Sequence, residues 1–280
     1  MNIHRYKHLE ERFLPRLTST QVRDLPKEDA LVILPIGATE QHGPHLPVYT
    51  DTILAETVLD EAFQHLSKDA NIWTLPSIPF GKSDEHMDRP GTFSFSFDTL
   101  RSILLDLSRS VHANGFRKLV LFNGHGGNID TLKLAARHVR IETGLMVFII
   151  NVGNLTIPAS IISEEEMFMG IHGGDYETSL LMSSYPEWVQ DDKLPKEVPM
   201  LADKSKYLRF QKGNFAWTIE DVSVSGILGN AQLATKEKGD ALYREHGREV
   251  ASCLLDILTF EISELIEHLP IQVTEAGSAK

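Results

Sequence analysis

Residues 31–36 read LVILPI, and this stretch decides the fold because it is an uninterrupted apolar run. A short apolar run without alternation is typical of a strand that is covered on both faces. From Asp51 onward the apolar residues recur at three- and four-residue spacing, which predicts an amphipathic helix. Glycines and side chains that can bind metal ions are concentrated in the turn between this strand and this helix.

Strand and helix patterns alternate farther along the chain. Three more strands are predicted at residues 72–75, 118–122 and 145–151. Asp98 is expected to cap the N-terminus of the second helix, and Gly115 and Gly144 are expected to end the second and third helices. This βαβα order predicts an α/β fold with a mostly parallel sheet and helices on both of its faces.

The pattern becomes irregular between residues 153 and 235, where several prolines interrupt it. We expect loops and short elements there, forming pocket walls and subunit contacts. A last long helix is predicted from about residue 235 to 268. Since the sequence contains no repeat, low-complexity segment or linker, residues 1–280 are predicted to form a single domain, with its motifs between about residues 30 and 240.

Composition narrows the class of protein. The chain is 42% hydrophobic and 24% charged, as in ordinary globular proteins. A net charge of −12 without a basic cluster argues against a nucleic-acid partner, and no apolar stretch approaches the ~18 residues of a membrane span. The single cysteine, Cys253, is expected to be buried filler on a helix. One unpaired cysteine suits a reducing compartment, so a cytoplasmic location is predicted.

The turn after the first strand contains Glu40 and His42. Side chains two apart on an extended segment point the same way, so this pair could chelate an ion. Asp51 begins the following helix and is either its N-cap or a further ligand. Read in isolation, Glu40 could equally be an exposed carboxylate and His42 an ordinary turn histidine.

Two later segments favour a metal site. Residues 123–128 read NGHGGN and place His125 among glycines, which let a backbone approach a ligand closely. Residues 172–179 read HGGDYETS, in which Glu177 either binds an ion or complements a helix dipole. The five candidate ligands include no thiolate and describe a carboxylate–histidine site for zinc, manganese or iron. An aspartate that bridges two ions would make it a two-metal hydrolase centre.

The motifs at residues 37–51, 123–128 and 172–179 resemble those of the creatininase family of metal-dependent amidohydrolases, and the likeness continues at 81–86, 90–92 and 226–239. The resemblance implies a three-layer α/β/α fold with a binuclear centre. Glu40, Asp51 and His125 would hold one ion, and His42, Asp51 and a further carboxylate would hold the other. His172 matches the catalytic histidine of the family and is the predicted acid/base, with its ordinary pKa close to working pH.

One position departs from this pattern. In creatininase itself the further carboxylate is expected two residues after the histidine of the Asn-Gly-His motif, and this chain has Gly127 there. Glu177 is the predicted replacement and is counted as both a ligand and a catalytic residue, with Asp175 as second choice. If neither carboxylate reaches the site, the second ion is weakly bound or absent.

The resemblance predicts a hydrolase that cleaves an amide-like C–N bond of a small, possibly cyclic substrate through hydroxide on two divalent ions. A formamidopyrimidine, a short peptide or an oxidised inositol are alternative substrates, and a noncatalytic single-metal binding protein is the alternative of another class. A homo-oligomer, in particular a hexamer, is also implied. Glu85, His86 and Arg89 could line the substrate pocket or form a polar surface loop, and neither Trp188 nor Trp217 is assigned as an aromatic lid.

Overall fold

The computed structural model describes residues 6–198, 201–208, 210 and 215–265. Its centre is a four-stranded parallel sheet in the order β2-β1-β3-β4. These strands are β1 (Leu31–Ile36), β2 (Ile72–Thr74), β3 (Lys118–Asn123) and β4 (Met146–Asn151). Two shorter strands, β5 (Lys196–Glu197) and β6 (Gly229–Asn230), pair antiparallel. The predicted mostly parallel sheet is confirmed.

α-Helices make up a large share of the remaining described chain. They are α1 (Lys7–Glu11), α2 (Ser19–Asp24), α3 (Thr50–Gln64), α4 (Phe97–Ala113), α5 (Ile129–Thr143), α6 (Glu164–Met169), α7 (Asp175–Ser184), α8 (Leu201–Lys204), α9 (Ile219–Val222) and α10 (Lys236–Thr259). The elements from α6 to β6 are the short elements expected between residues 153 and 235.

Side chains of β1 alternate between two apolar cores. Leu31 and Ile33 pack with α3, α7 and α10 on one face of the sheet, and Val32 and Leu34 pack with α4 and α5 on the other. All four side chains are buried, as expected for a strand that is covered on both faces. The structure is therefore the three-layer α/β/α arrangement that the resemblance implies.

Pro35 lies inside β1, where a proline removes a backbone donor. Its carbonyl accepts a hydrogen bond from the amide of Ile78, so its backbone faces the side on which β2 lies. Because β2 already ends at Thr74, no strand carbonyl needs the missing donor. The central strand therefore tolerates this proline.

Helix ends agree with the predictions in part. Gly115 and Gly144 follow α4 and α5 with φ of 89° and 77°, as expected for glycines that end helices. The Asp98 cap is wrong, because α4 begins at Phe97 and the side chain of Ser96 accepts a hydrogen bond from the amide of Thr99 at 3.2 Å.

The last helix is shorter than predicted. Thr235 is the N-cap of α10, but the helix ends at Thr259 and not near residue 268. The buried Lys118 donates to the carbonyl of Leu258 at 2.7 Å and so satisfies an oxygen of the last turn. Phe260 then adopts an extended conformation, and residues 266–268 lie outside the described residues.

Cys253 lies on α10 and packs against its core, as predicted, but it is half-buried and not buried. Within the described ranges, no helix has both the length and the apolar character that crossing a bilayer requires.

The connections leave β1 and β3 in opposite directions. α3 follows β1 and packs on one face of the sheet, whereas α5 follows β3 and packs on the other. Ligands of open α/β sheets bind in the crevice at the carboxyl ends of such neighbouring strands. The turn after Ile36 and the turn after Asn123 meet in this crevice, which brings the first two sequence motifs together.

Candidate metal centre

Glu40 and His42 lie in the turn after β1, and both are fully buried. The amide of Glu40 donates to the carbonyl of Val48 at 2.9 Å and helps to close the turn. His42 Nδ1 lies 3.0 Å from the carbonyl oxygen of Glu40, so Nδ1 carries a hydrogen and donates it. The lone pair of neutral His42 is therefore on Nε2, in the form that binds a metal ion.

Asp51 lies between two imidazoles. Its Oδ1 is 3.5 Å from His42 Nε2, and its Oδ2 is 3.5 Å from His125 Nδ1. Because α3 begins at Thr50, Asp51 is inside the first turn, and the N-cap alternative is wrong. The carboxylate of Asp51 thus faces two of the other predicted ligands, His42 and His125.

His125 is held in the turn after β3 by asparagine side chains. Its amide donates to Asn123 Oδ1 at 3.2 Å, and Asn123 Nδ2 donates back to its carbonyl at 2.7 Å. His125 Nε2 lies 2.9 Å from the carbonyl of Lys82 and carries a hydrogen toward it. The lone pair is then on Nδ1, which faces Asp51. The buried Asn128 joins three turns through contacts with Gly37, Lys82 and Asn123.

The structure separates the two candidates for the remaining carboxylate. Glu177 Oε2 lies 3.8 Å from His42 Nε2 and accepts a hydrogen bond from the amide of Gly173 at 2.6 Å. Asp175 instead pairs with Lys238 at 2.5 Å and accepts a hydrogen bond from Ser179 at 2.9 Å. Asp175 is therefore used within the protein, and Glu177 is the carboxylate that faces the centre.

Two further imidazoles border the centre. His172 lies between His42 and His86, with ring centroids 4.3 Å from each, and its ring is tilted against His42 and stacked on His86. His172 Nδ1 lies 3.5 Å and His86 Nε2 lies 3.7 Å from Glu40 Oε1. Burial, followed by the neighbouring His42 and His86, lowers the pKa of His172 well below its ordinary value. His172 is therefore neutral, and its pKa is not the near-neutral one expected from the sequence.

Burial and close contact also shift the pKa values of the predicted ligands. Burial raises the pKa of Glu40 to about 8, against the lowering effect of His125. Burial alone would lower the pKa of His42. The negative charges of Asp51 and Glu177 outweigh this effect and raise the pKa to about 10. Burial would raise the pKa of Asp51, but His42 and His125 hold it below its ordinary value. The centre thus holds protons that a divalent cation would displace.

Several buried polar atoms of the centre lack a hydrogen bond of good geometry in the described part of the chain. They are Glu40 Oε1 and Oε2, His42 Nε2 and Asp51 Oδ2. Buried polar atoms are rarely left without a partner, so the cluster calls for a bound cation. Ligand atoms of Glu40, Asp51 and His125 lie within 4.8 Å of one another, as do those of His42, His172 and Glu177. These carboxylate and imidazole groups suit a divalent metal ion.

A family model supplies the decisive comparison. The Creatininase model, described as creatinine amidohydrolase, matches residues 15–254. The chain belongs to the creatininase family. A mycofactocin precursor peptide peptidase of Mycobacterium ulcerans (strain Agy99) is 34% identical over 238 residues, which are 83% of this chain and 87% of that protein. Creatinine amidohydrolase of Pseudomonas putida is 27% identical over 230 residues, covering 76% and 84%.

Solved creatininases share the fold. A creatininase mutant of the Zn-Zn type aligns with a TM-score of 0.73 at 26% identity, covering 89% of this chain and 98% of that one. A creatininase with Mn aligns with a TM-score of 0.72 at 25% identity, covering 89% and 99%. Because its relatives are named hydrolases and amidohydrolases, this member of the creatininase family is an amidohydrolase.

The departure from the creatininase pattern at Gly127 has a steric explanation. A Cβ at this position would lie 2.5 Å from His125 Nε2 and 2.6 Å from Glu85 Oε1, and closer still to the carbonyl of Lys82. The φ of Gly127 is not positive, so the requirement is for space and not for an unusual backbone. The half-buried Glu85 extends over this glycine, beside His125.

Of the remaining residues of the 84–89 segment, His86 is buried beside the centre. Arg89 lies farther out and contacts the 220–224 segment. Arg89 donates to the carbonyls of Ser223 and Val224 at 3.0 and 2.9 Å and pairs with Glu220 at 2.6 Å. Trp217 meets the ring of His86 edge-on at 6.5 Å between centroids. These contacts join the 84–89 segment to the 217–226 segment, and sequence spacing gave no sign of them.

Glu166 is a supporting residue that the sequence analysis did not single out. Its Oε1 accepts a hydrogen bond from the amide of Asp175 at 2.8 Å, and its Oε2 accepts one from the amide of Asn230 at 3.0 Å. Three glycines make room for this carboxylate, namely Gly170, Gly174 and Gly229. The run of glutamates at 164–166 is typical of a solvated helix start, whereas the surrounding glycines are the signal that could have indicated burial.

Proposed function

We propose that this chain cleaves an amide-like C–N bond of a small substrate at a binuclear metal centre. The observation that carries the proposal is the position of Asp51, whose two carboxylate oxygens each lie 3.5 Å from a different histidine, His42 and His125. A carboxylate shared in this way suits a site for two ions. The family relationship supports the same reaction type.

Glu40, Asp51 and His125 would hold one ion, and His42, Asp51 and Glu177 would hold the other. Zinc, manganese and iron all suit these oxygen and imidazole donors. When bound, such ions lower the pKa of water and polarise a substrate carbonyl. Burial of the centre removes competing solvent, so charge that develops during the reaction is stabilised more strongly than in water.

His172 is the proposed acid/base residue. Its Nε2 donates to the carbonyl of Gln41 at 2.8 Å, which leaves Nδ1 as the nitrogen that can exchange a proton with the reactants. Neutral His172 can accept a proton from the attacking water at Nδ1 and deliver it to the nitrogen that leaves. As the C–O bond forms and the C–N bond breaks, the proton moves from water to the amine product. Glu177, anchored on the Gly173 amide, would add negative charge beside His42.

Short peptides are the first substrates to test, since a relative 34% identical to this chain is named as a peptidase. Cyclic amides are the second class, because another relative is named creatinine amidohydrolase. An oxidised inositol and a formamidopyrimidine complete the panel. The proposal requires that at least one substrate of the protein is an amide and that the protein hydrolyses it.

The experiment is metal analysis of the purified protein together with turnover of this panel. Two equivalents of transition metal and hydrolysis of one amide would support the proposal. Asp51→Asn should lose metal and activity, whereas Asp60→Asn is its matched control, because Asp60 lies on the same helix and accepts from the amide of Leu9. Failure to bind metal after reconstitution would contradict the proposal, and one equivalent without turnover would favour a metal-binding protein.

We further propose a homo-oligomer in the cytoplasm, with a hexamer as the state that the family resemblance implies. Exposed apolar side chains near the centre support subunit contacts, since Met87 is 53% and Phe93 is 62% exposed. Light scattering coupled to gel filtration would measure the assembly, and a monomer at micromolar concentration would contradict it.

A further inference from the structure

The side chain of Gln41 lies between main-chain groups and two imidazoles. Gln41 Oε1 accepts a hydrogen bond from the amide of Gly43 at 3.0 Å, and Nε2 donates to the carbonyl of Gly226 at 2.8 Å. A main-chain donor at one end and a main-chain acceptor at the other fix which end of the amide is oxygen. One amide hydrogen is thus used at Gly226, and the second remains.

That second hydrogen has one acceptor. Gln41 Nε2 lies 2.9 Å from His86 Nδ1 and 3.1 Å from His172 Nε2. His172 Nε2 also lies 2.8 Å from the carbonyl oxygen of Gln41, which can only accept, so this nitrogen already carries a hydrogen. The amide therefore donates to His86 Nδ1. Since Nδ1 accepts, the ring hydrogen of His86 is on Nε2.

The Nε2 hydrogen of His86 faces the centre. Glu40 Oε1 is 3.7 Å away, which is too far for a hydrogen bond, so the donor remains available to a further acceptor. His172 Nδ1 lies 3.5 Å from the same oxygen. The stacked rings of His86 and His172 thus place a hydrogen-bond donor, His86 Nε2–H, and an acceptor, His172 Nδ1, in the same region beside Glu40 Oε1. Although Glu40, His86 and His172 are close enough to hold an ion, a protonated Nε2 has no lone pair for it.

We propose that His86 is a substrate-binding residue whose Nε2–H donates to an oxygen of the substrate, and that Gln41 is the positioning residue that keeps the hydrogen on Nε2. This inference rests on the proposed function, since the donor lies beside His172 where the scissile bond would be. It specifies the substrate class as an amide with a hydrogen-bond-accepting oxygen at or next to that bond, as in a peptide or a cyclic amide.

Binding of acetohydroxamate to the zinc-loaded protein, measured by calorimetry, tests the donor with a carbonyl probe. His86→Phe keeps a ring for stacking and removes the donor, and it should weaken binding about 10-fold, the effect of one lost hydrogen bond to a polarised oxygen. His86→Gln returns an amide donor near the same place and should recover part of the affinity. His246→Gln is the control, because the buried His246 contacts Tyr176 outside the centre.

Nitrogen NMR of the zinc-loaded protein with labelled histidine tests the role of Gln41 without turnover. His86 should carry its hydrogen on Nε2 in the wild type, and Gln41→Met should give a mixture of the two tautomers with zinc content unchanged. A wild-type His86 with its hydrogen on Nδ1 would overturn the inference, as would unchanged acetohydroxamate binding in His86→Phe. Absence of amide hydrolysis with both results intact would instead overturn the proposed function.

Discussion

Glu85 Oε1 lies 2.6 Å from the point that a Cβ on Gly127 would occupy. A side chain at position 127 and the present placement of Glu85 are therefore mutually exclusive. The family resemblance predicts a carboxylate at this position, and in this chain Glu85 reaches over it from another loop. With glycine at position 127, Glu177 is the carboxylate that lies beside His42.

Gly127→Ala should destabilise the protein and weaken metal binding. The new Cβ would lie 2.5 Å from His125 Nε2 and even closer to the carbonyl oxygen of Lys82. Because the Lys82 oxygen belongs to the main chain, the backbone has to shift to remove this overlap. Overpacking of this kind costs about 1–3 kcal/mol of unfolding free energy. Urea unfolding and zinc stoichiometry measure the two effects.

Gly126→Ala is the matched control for that variant. A Cβ on Gly126 would meet nothing within 4 Å, and its φ is not positive. The free energy of unfolding should therefore change little, in line with the small gain that glycine-to-alanine changes give at compatible positions. Equal effects of the two substitutions would show that the space over Gly127 does not matter.

Much of this centre could be predicted from local sequence. The turns after β1 and β3 each combine an apolar strand with glycines and ligand side chains, and parallel strands bring their carboxyl ends to one edge. Glu40, His42 and His125 follow from that rule. The choice between a cap and a ligand for Asp51 could not be made, because both roles occur in the first turn of a helix.

The other parts of the centre depend on contacts between segments that are far apart in the sequence. Gln41 and His172 are 131 positions apart, and Gln41 and Gly226 are 185 apart, so no local pattern indicates that one residue contacts both His172 and the loop at Gly226. Glu166 was missed for the same reason, since its partner Asn230 is 64 positions away. Asp175 and Glu177 are distinguished by a residue 63 positions from Asp175, since Lys238 pairs with Asp175 and Glu177 lies beside His42.

Glu177→Gln should reduce bound zinc from two equivalents toward one, because an amide is a much poorer ligand than a carboxylate for a divalent ion. Asp175→Asn should keep both equivalents but lower the unfolding temperature, since it breaks the pair with Lys238. Metal analysis and thermal unfolding of both variants measure these outcomes. Loss of zinc in Asp175→Asn alone would reverse the assignment of the two carboxylates.

His172→Ala should lower kcat by ~10²–10⁴-fold, the usual contribution of a general acid/base residue. Zinc content should stay at the wild-type value, because His172 Nε2 is bound to Gln41 and neither proposed ligand set requires Nδ1. Turnover and metal analysis of one preparation test both points. A parallel loss of zinc would make His172 a ligand, and near-normal kcat would remove it from the reaction.

The contribution of Glu40 to the stability of the metal-free protein should change with pH in the opposite direction to the effect of zinc. Burial raises the pKa of Glu40 from 4.5 to about 8, so between these values its carboxyl group is protonated to a greater extent in the folded protein than in the unfolded chain. The contribution of Glu40 to the unfolding free energy therefore falls as pH rises through this window, against the opposite contribution of His86 and His172, whose pKa values burial lowers. Zinc competes with those protons, so the free energy of the loaded protein should rise over the same range. Urea unfolding at pH 5.5–8, in EDTA and in zinc, measures both slopes. Glu40→Gln should flatten the metal-free slope, and equal slopes with and without zinc would show that the centre does not exchange protons for metal.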